Sequence, residues 1–143
     1  MRGPFGYNVS IELDHLGIAV VSIEDALRFY EQMLGMSVEH RETVEAEQVH
    51  VAMLPTEIET GSNRIELLEA IKPDSPIGKF VAKRGPGMHH IALRVDDLEA
   101  MTARLKSGGA RLLNDPRIGA GGRRYVFVHP SSAGGVLLEL IQK

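Results

Sequence analysis

Cysteine is absent from the 143 residues. That excludes disulfides, thiolate zinc sites and cysteine nucleophiles. Basic residues are not in excess, and the formal net charge is −3. No general affinity for nucleic acid or for a membrane surface follows from such a balance. No apolar run approaches the length of a membrane span. Residues 1–10 lack the apolar core of a signal peptide and read as a loose arm. The expectation is a cytoplasmic protein of one domain, residues 1–143, whose 43% hydrophobic content supports a packed interior.

What the chain does hold is a repeat. Asp14-His15-Leu16-Gly17-Ile18-Ala19-Val20 returns as His89-His90-Ile91-Ala92-Leu93-Arg94-Val95, an offset of 75 that lays His15 on His90. Each copy reads as a strand running into an amphipathic helix. A second pair follows the scheme. Glu66 lies in the apolar run Ile65–Leu68 and Glu139 in Val136–Ile141, an offset of 73. Each half thus offers one His from its first strand and one Glu from its last. A carboxylate inside an apolar strand is costly unless paired or bound to a metal. Two of them, each with its own His, point to a divalent metal site.

The pattern predicts βαβββ twice, an α+β fold with a mixed sheet. Module one covers about residues 11–70, the connection 71–87, and module two about 88–143. In module one, strands are expected over residues 11–21, 36–42, 48–54 and 64–70, with an acidic turn at Glu42–Glu47 and a polar turn, Thr56–Asn63, containing Gly61. Ser22 with Asp25 resembles a capping box, and Gly35 ends that helix. The connection holds a short helix over Ile77–Lys83. In module two, Asp96 and Glu99 are read as the cap, Gly108-Gly109 as the stop, and residues 88–95, 111–113, 125–128 and 136–141 as strands. Asn114–Arg123 is expected to be a glycine-rich loop. Alternation turns Ile65, Leu67, Leu138 and Leu140 toward helices, so Glu66, His90 and Glu139 look into one cleft.

Longer stretches carry a resemblance: Arg64-Ile65-Glu66-Leu67-Leu68-Glu69, Asp74-Ser75-Pro76-Ile77, Gly87-Met88-His89-His90-Ile91-Ala92, Gly119-Ala120-Gly121-Gly122-Arg123, and His129-Pro130 with Gly134-Gly135-Val136-Leu137-Leu138-Glu139-Leu140. Over residues 12–142 the chain resembles the vicinal oxygen chelate superfamily, and within it the methylmalonyl-CoA epimerases. The resemblance implies a curved mixed sheet around a metal-binding cleft. It implies His15, Glu66, His90 and Glu139 as ligands of a divalent ion, usually cobalt, with manganese, nickel or zinc as substitutes. It implies epimerisation of an acyl-CoA at C2 through a metal-stabilised enolate, with Glu139 and Glu66 as catalytic carboxylates, in a homodimer. A glyoxalase I-like lyase and a metal-free binding protein on the same fold are the alternatives.

The chain departs from its relatives in two places. Val51 stands where some carry an acid/base Glu, which leaves Glu47, Glu66, His50 or a metal-bound water as the opposite partner of Glu139. Ser131-Ser132 stands where close relatives often have a Lys after His129-Pro130. Other residues have plainer readings. His89 is expected to be structural and bonded to backbone, His129 to belong to a turn, and His40 and His50 to lie at the surface. The glycine-rich loop with Arg123 reads either as a plain loop or as a cradle for a substrate anion. Lys79, Lys83 and Arg84 read as surface charges or as a hold on a CoA phosphate.

Overall fold

The computed structural model describes residues 10–57 and 63–143. The expected arm, apart from Ser10, and the middle of the expected turn Thr56–Asn63 lie outside the described residues. Strand β1 is Ile11–Ala19, and helix α1 is Ile23–Leu27, continued by a π-helical turn over Arg28–Met33. Three strands complete module one: β2 (His40–Val44), β3 (Val49–Pro55) and β4 (Arg64–Ala70). Helix α2, Pro76–Arg84, forms the connection. Module two has β5 (Gly87–Val95), helix α3 (Leu98–Ser107), β6 (Arg117–Ile118), β7 (Arg124–Val128) and β8 (Leu138–Gln142).

All eight strands form one sheet in the order β2-β3-β4-β1-β5-β8-β7-β6. Each half reads the same from the centre outward. In each module the first strand pairs parallel with the last, and the two first strands pair antiparallel at the centre. This is the expected doubled βαβββ plan with its mixed sheet.

The helices divide the faces. Ile23 and Leu27 of α1 pack on Ala52, Leu54 and Leu67, with Ile18 and Ile65 beside them. Leu98 of α3 packs with Val95, Val126, Val128 and Leu140. These residues alternate with Gly17, Glu66, Phe127 and Glu139, which are thereby left to the concave face. Helix α2 adds Ile77 to the cluster of Ala19, Val49, Val51, Met53 and Leu68 on that face.

Each module pins its helix to its last strand in the same way. Glu69 Oε1 accepts from the Ile23 N–H at 2.8 Å, and Gln142 Oε1 accepts from the Leu98 N–H at 2.8 Å. Both satisfy a donor that a helix start leaves open. The Ser22 hydroxyl also caps α1, accepting from the Asp25 N–H at 3.2 Å.

Several expected boundaries are corrected. The cap of α3 is Asp97, which accepts from the Ala100 N–H, and not Asp96; Gln142 fixes the helix start at Leu98, so its cap is one residue later. The strand expected over residues 36–42 begins at His40, where antiparallel pairing with Met53 starts. Arg111–Leu113 makes only an isolated bridge, from Leu112 to Val128. The glycine-rich loop contains the short strand β6, which pairs with β7.

Candidate metal centre

The centre lies where β1 meets β5. Their register shifts twice: between Leu13 and His15, and between Gly17 and Ile18 on the β1 side. Asp14 is passed over in the first shift and His89 in the second. A residue left unpaired in this way can turn to the side of its neighbour instead of through the sheet. Asp14 does so. His15 Nδ1 donates to Asp14 Oδ2 at 2.7 Å, which leaves the Nε2 lone pair pointing onward. His89 does the same for His90, Nδ1 to Nδ1 at 2.9 Å.

The two Nε2 atoms then face each other at 3.0 Å. Glu139 Oε1 stands 3.1 Å from His15 Nε2 and 3.5 Å from His90 Nε2. Glu66 Oε1 stands 3.4 Å from both. All four side chains are buried. The four strands β1, β4, β5 and β8 therefore bring together every residue that the repeat singles out. His15, His90 and Glu139 form a group able to hold a divalent metal ion.

The chemistry of this donor set fits such an ion. Neighbouring ligands around a divalent ion at about 2.1 Å stand roughly 3.0–3.4 Å apart, near the distances seen here. Glu139 Oε1 is buried and takes no hydrogen bond of proper geometry, an orphan that a cation would satisfy. Gly17 makes room for the His90 ring. A Cβ on Gly17 would stand 2.1 Å from His90 Cε1.

Electrostatics agree with the geometry. Burial alone would lower the His15 pKa, but the close carboxylates of Asp14, Glu139 and Glu66 outweigh it and push it up to about 11. His90 is raised by Glu139 and Glu66, again against burial. Both carboxylates are lowered by the two imidazoles, against burial. With 3.0 Å between the Nε2 atoms, the rings hold at most one proton between them on that side and titrate as a unit. His89 behaves in the opposite sense. Burial and the neighbouring His90 lower it to about 4, so it is neutral.

Asp14 is itself held from three sides. Arg123 grips it with two bonds, at 2.8 and 2.7 Å, and Arg94 donates at 3.1 Å. Arg64 approaches to 3.9 Å. Burial opposes the charge, yet Arg123 and His15 hold the carboxyl far below the usual range.

One expectation is corrected here. His89 bonds to the His90 ring and not to backbone, because the register shift turns it sideways. Of the two readings of the glycine-rich loop, the contacts favour the plain loop: Arg123 is committed to Asp14, and the Gly121 N–H donates to Glu42 at 2.5 Å. His129 is a turn residue as expected, accepting from the Ser131 N–H. His40 is exposed. His50 is half-buried, bonds with Thr43, and does not line the cavity above the centre.

That cavity has a volume of about 230 Å³. Glu66, His90 and Glu139 border it, with Val49, Val51, Leu68, Ile77 and Phe127 as apolar walls and Glu47 and Tyr125 also exposed to it. A second cleft of about 530 Å³ adjoins it across Pro76, His89 and Leu137, and carries Lys79, Lys83 and Arg84. Reading the sequence missed Asp14 and Tyr125. Asp14 had one signal, since it falls on His89 in the repeat.

Residues 14–127 match the family model described as the Glyoxalase/Bleomycin resistance protein/Dioxygenase superfamily. The Bacillus subtilis protein YqjC, uncharacterized, is 42% identical over 131 residues, 91% of each chain. The mitochondrial methylmalonyl-CoA epimerase of Homo sapiens is 38% identical over 132 residues, 91% of this chain and 73% of that one. A solved variant of the Streptomyces coelicolor methylmalonyl-CoA epimerase, in complex with 2-nitronate-propionyl-CoA, superposes with a TM-score of 0.87 at 37% identity. It covers 95% of this chain and 99% of its own.

Proposed function

The chain belongs to the glyoxalase, bleomycin resistance protein and dioxygenase superfamily, and on that premise we propose that it interconverts (2R)- and (2S)-methylmalonyl-CoA. The observation that carries the proposal is the convergence of two imidazoles and two carboxylates beneath a small apolar cavity. The epimerase relatives and the acyl-CoA complex among them support the choice of substrate.

In this reading His15, Glu66, His90 and Glu139 hold the ion. Lewis-acid polarisation of the thioester and carboxylate oxygens is what a divalent ion there supplies, and cobalt is the ion proposed, with manganese, nickel or zinc as substitutes. The protein's own groups do the rest. Glu139, a buried carboxylate bordering the cavity, takes the C2 proton. The apolar walls hold the methyl group and exclude water. The cavity is smaller than the roughly 300–1,000 Å³ that encloses a drug-sized ligand, so it takes the acyl group alone. The adjoining cleft takes the CoA arm, with Lys79, Lys83 and Arg84 facing its phosphates. By family resemblance the proposal extends to a homodimer in the cytoplasm.

Metal-stripped and cobalt-restored protein would be incubated with methylmalonyl-CoA in deuterated water, and loss of the C2 proton followed by NMR. Cobalt-dependent exchange, abolished by His90→Ala, is the expected result. A fully metallated protein that exchanges nothing would overturn the proposal.

A further inference from the structure

Inverting a carbon that has lost a proton requires a proton donor on the face opposite the base. Among the described residues, the titratable side chains lining the cavity are Glu47, Glu66, His89, His90, Tyr125 and Glu139. Glu66, His90 and Glu139 converge on the centre. His89 bonds to His90 through Nδ1 and packs its ring edge-on against Phe80. Val51, on the floor of the sheet, is apolar and 2% exposed. Glu47 and Tyr125 are left.

They belong to distant parts of the sheet. Glu47 ends the short 3-10 turn Glu45–Glu47 between β2 and β3, while Tyr125 lies on β7. Four strands, β4, β1, β5 and β8, lie between β3 and β7 in the sheet order. The sheet must curl until its two halves meet for these residues to touch. They do touch: the buried Tyr125 hydroxyl donates to Glu47 Oε1. Arg117 stands 3.8 Å from the same oxygen. Gln48, directly after the turn, has φ 53°, the one non-glycine residue with positive φ among those described. This left-handed step turns the chain from the 3-10 turn into β3, with Glu47 at the cavity.

We infer that Glu47, held by Tyr125 at the cavity that Glu139 also borders, carries the second proton of the inversion. The inference rests on the epimerase reading. In one direction the C2–H bond breaks toward Glu139, and its electron pair moves into the thioester carbonyl. The pair then returns to C2 and takes a proton from the Glu47 carboxyl. Glu47 is left as carboxylate and Glu139 as acid. Exchange with water resets both, which Glu47 can do because its side chain is 29% exposed. In the other direction the roles exchange. Burial and the adjoining carboxylate raise the Tyr125 pKa, so the phenol keeps its proton and serves as a donor that fixes Glu47 in place.

The test uses the cobalt-loaded enzyme, each pure epimer of methylmalonyl-CoA, and deuterated water. Glu47→Gln is expected to lower inversion by at least about 100-fold, the lower range for a positioned acid or base. It should still exchange the C2 proton of one epimer, with configuration retained, through Glu139. Cobalt content and melting temperature should match the wild type. Tyr125→Phe is expected to lower kcat for inversion with KM unchanged, because Glu47 is no longer held in position. Inversion by Glu47→Gln at the wild-type rate would overturn the inference while leaving the epimerase reading intact. Equal loss of exchange from both epimers would also overturn it, since Glu47 would then only hold the site together. A wild-type kcat in Tyr125→Phe would remove Tyr125 from the assignment. A wild-type enzyme that exchanges neither epimer would bring down the epimerase reading and this inference with it.

Discussion

Asp14 Oδ2 accepts the Nδ1 proton of the next residue, His15, at 2.7 Å. Neighbours on a regular strand point to opposite faces, so this contact exists only because the ladder between β1 and β5 slips at Asp14. His89 and His90 repeat it at the second slip.

Asp14→Asn should keep the shape and lose the charge that fixes the His15 tautomer. Metal affinity is expected to fall by about 10–100-fold, the usual cost of removing a partner behind a metal ligand. Titration against a competing chelator measures it. An unchanged affinity would mean that Asp14 serves only to bind Arg123.

Gly17→Ala places a methyl where His90 lies, with 2.1 Å between Cβ and Cε1. The flanking strands hold both backbones, so the ring must move. A stability loss of about 1–3 kcal/mol is expected, as for other overpacked sites. Metal content should fall by more than the fraction of protein that unfolds. Melting curves and metal analysis on the same sample separate the two effects.

Metal loading should release protons. In the metal-free protein the His15 pKa is raised to about 11 and that of His90 is also raised. At neutral pH the pair therefore holds a proton that a metal must displace. Affinity is expected to rise with pH below about 11, by about tenfold per unit for each proton released, and to weaken as pH falls. Calorimetry in buffers of different ionisation enthalpy detects the released proton. A heat independent of buffer would contradict it.

The paired helix anchors offer a test of the modular plan. Glu69→Ala and Gln142→Ala each remove the acceptor of one helix-start N–H. Each should cost about 1 kcal/mol, comparable to losing an N-cap. The sites belong to different modules, so the double variant should cost the sum. Denaturant titration of the three variants checks this.

Much of this fold was legible in the chain. The 75-residue offset of the histidines and the two glutamates in apolar strands carried the doubled plan and the four converging side chains. Alternation along β4 and β8 assigned their faces, since Leu67 and Leu140 had to meet helices. The same offset lays Ser22 on Asp97, and both turned out to be caps; local composition alone had favoured Asp96.

The sequence by itself determined which residues share a face, because side-chain direction follows from strand period and from the need to bury apolar groups. Tertiary structure alone decided what lies beside them. Register between β1 and β5 is set by pairing partners far apart in the chain, from Ile11 with Val95 to Ala19 with Gly87, so the slips that turn Asp14 and His89 toward the histidines have no local signal. The curl of the sheet, which brings Glu47 against Tyr125 and Arg123 onto Asp14, comes from the packing of the two modules together. No spacing along the chain encodes those contacts, since they join residues that only the closed cleft makes neighbours.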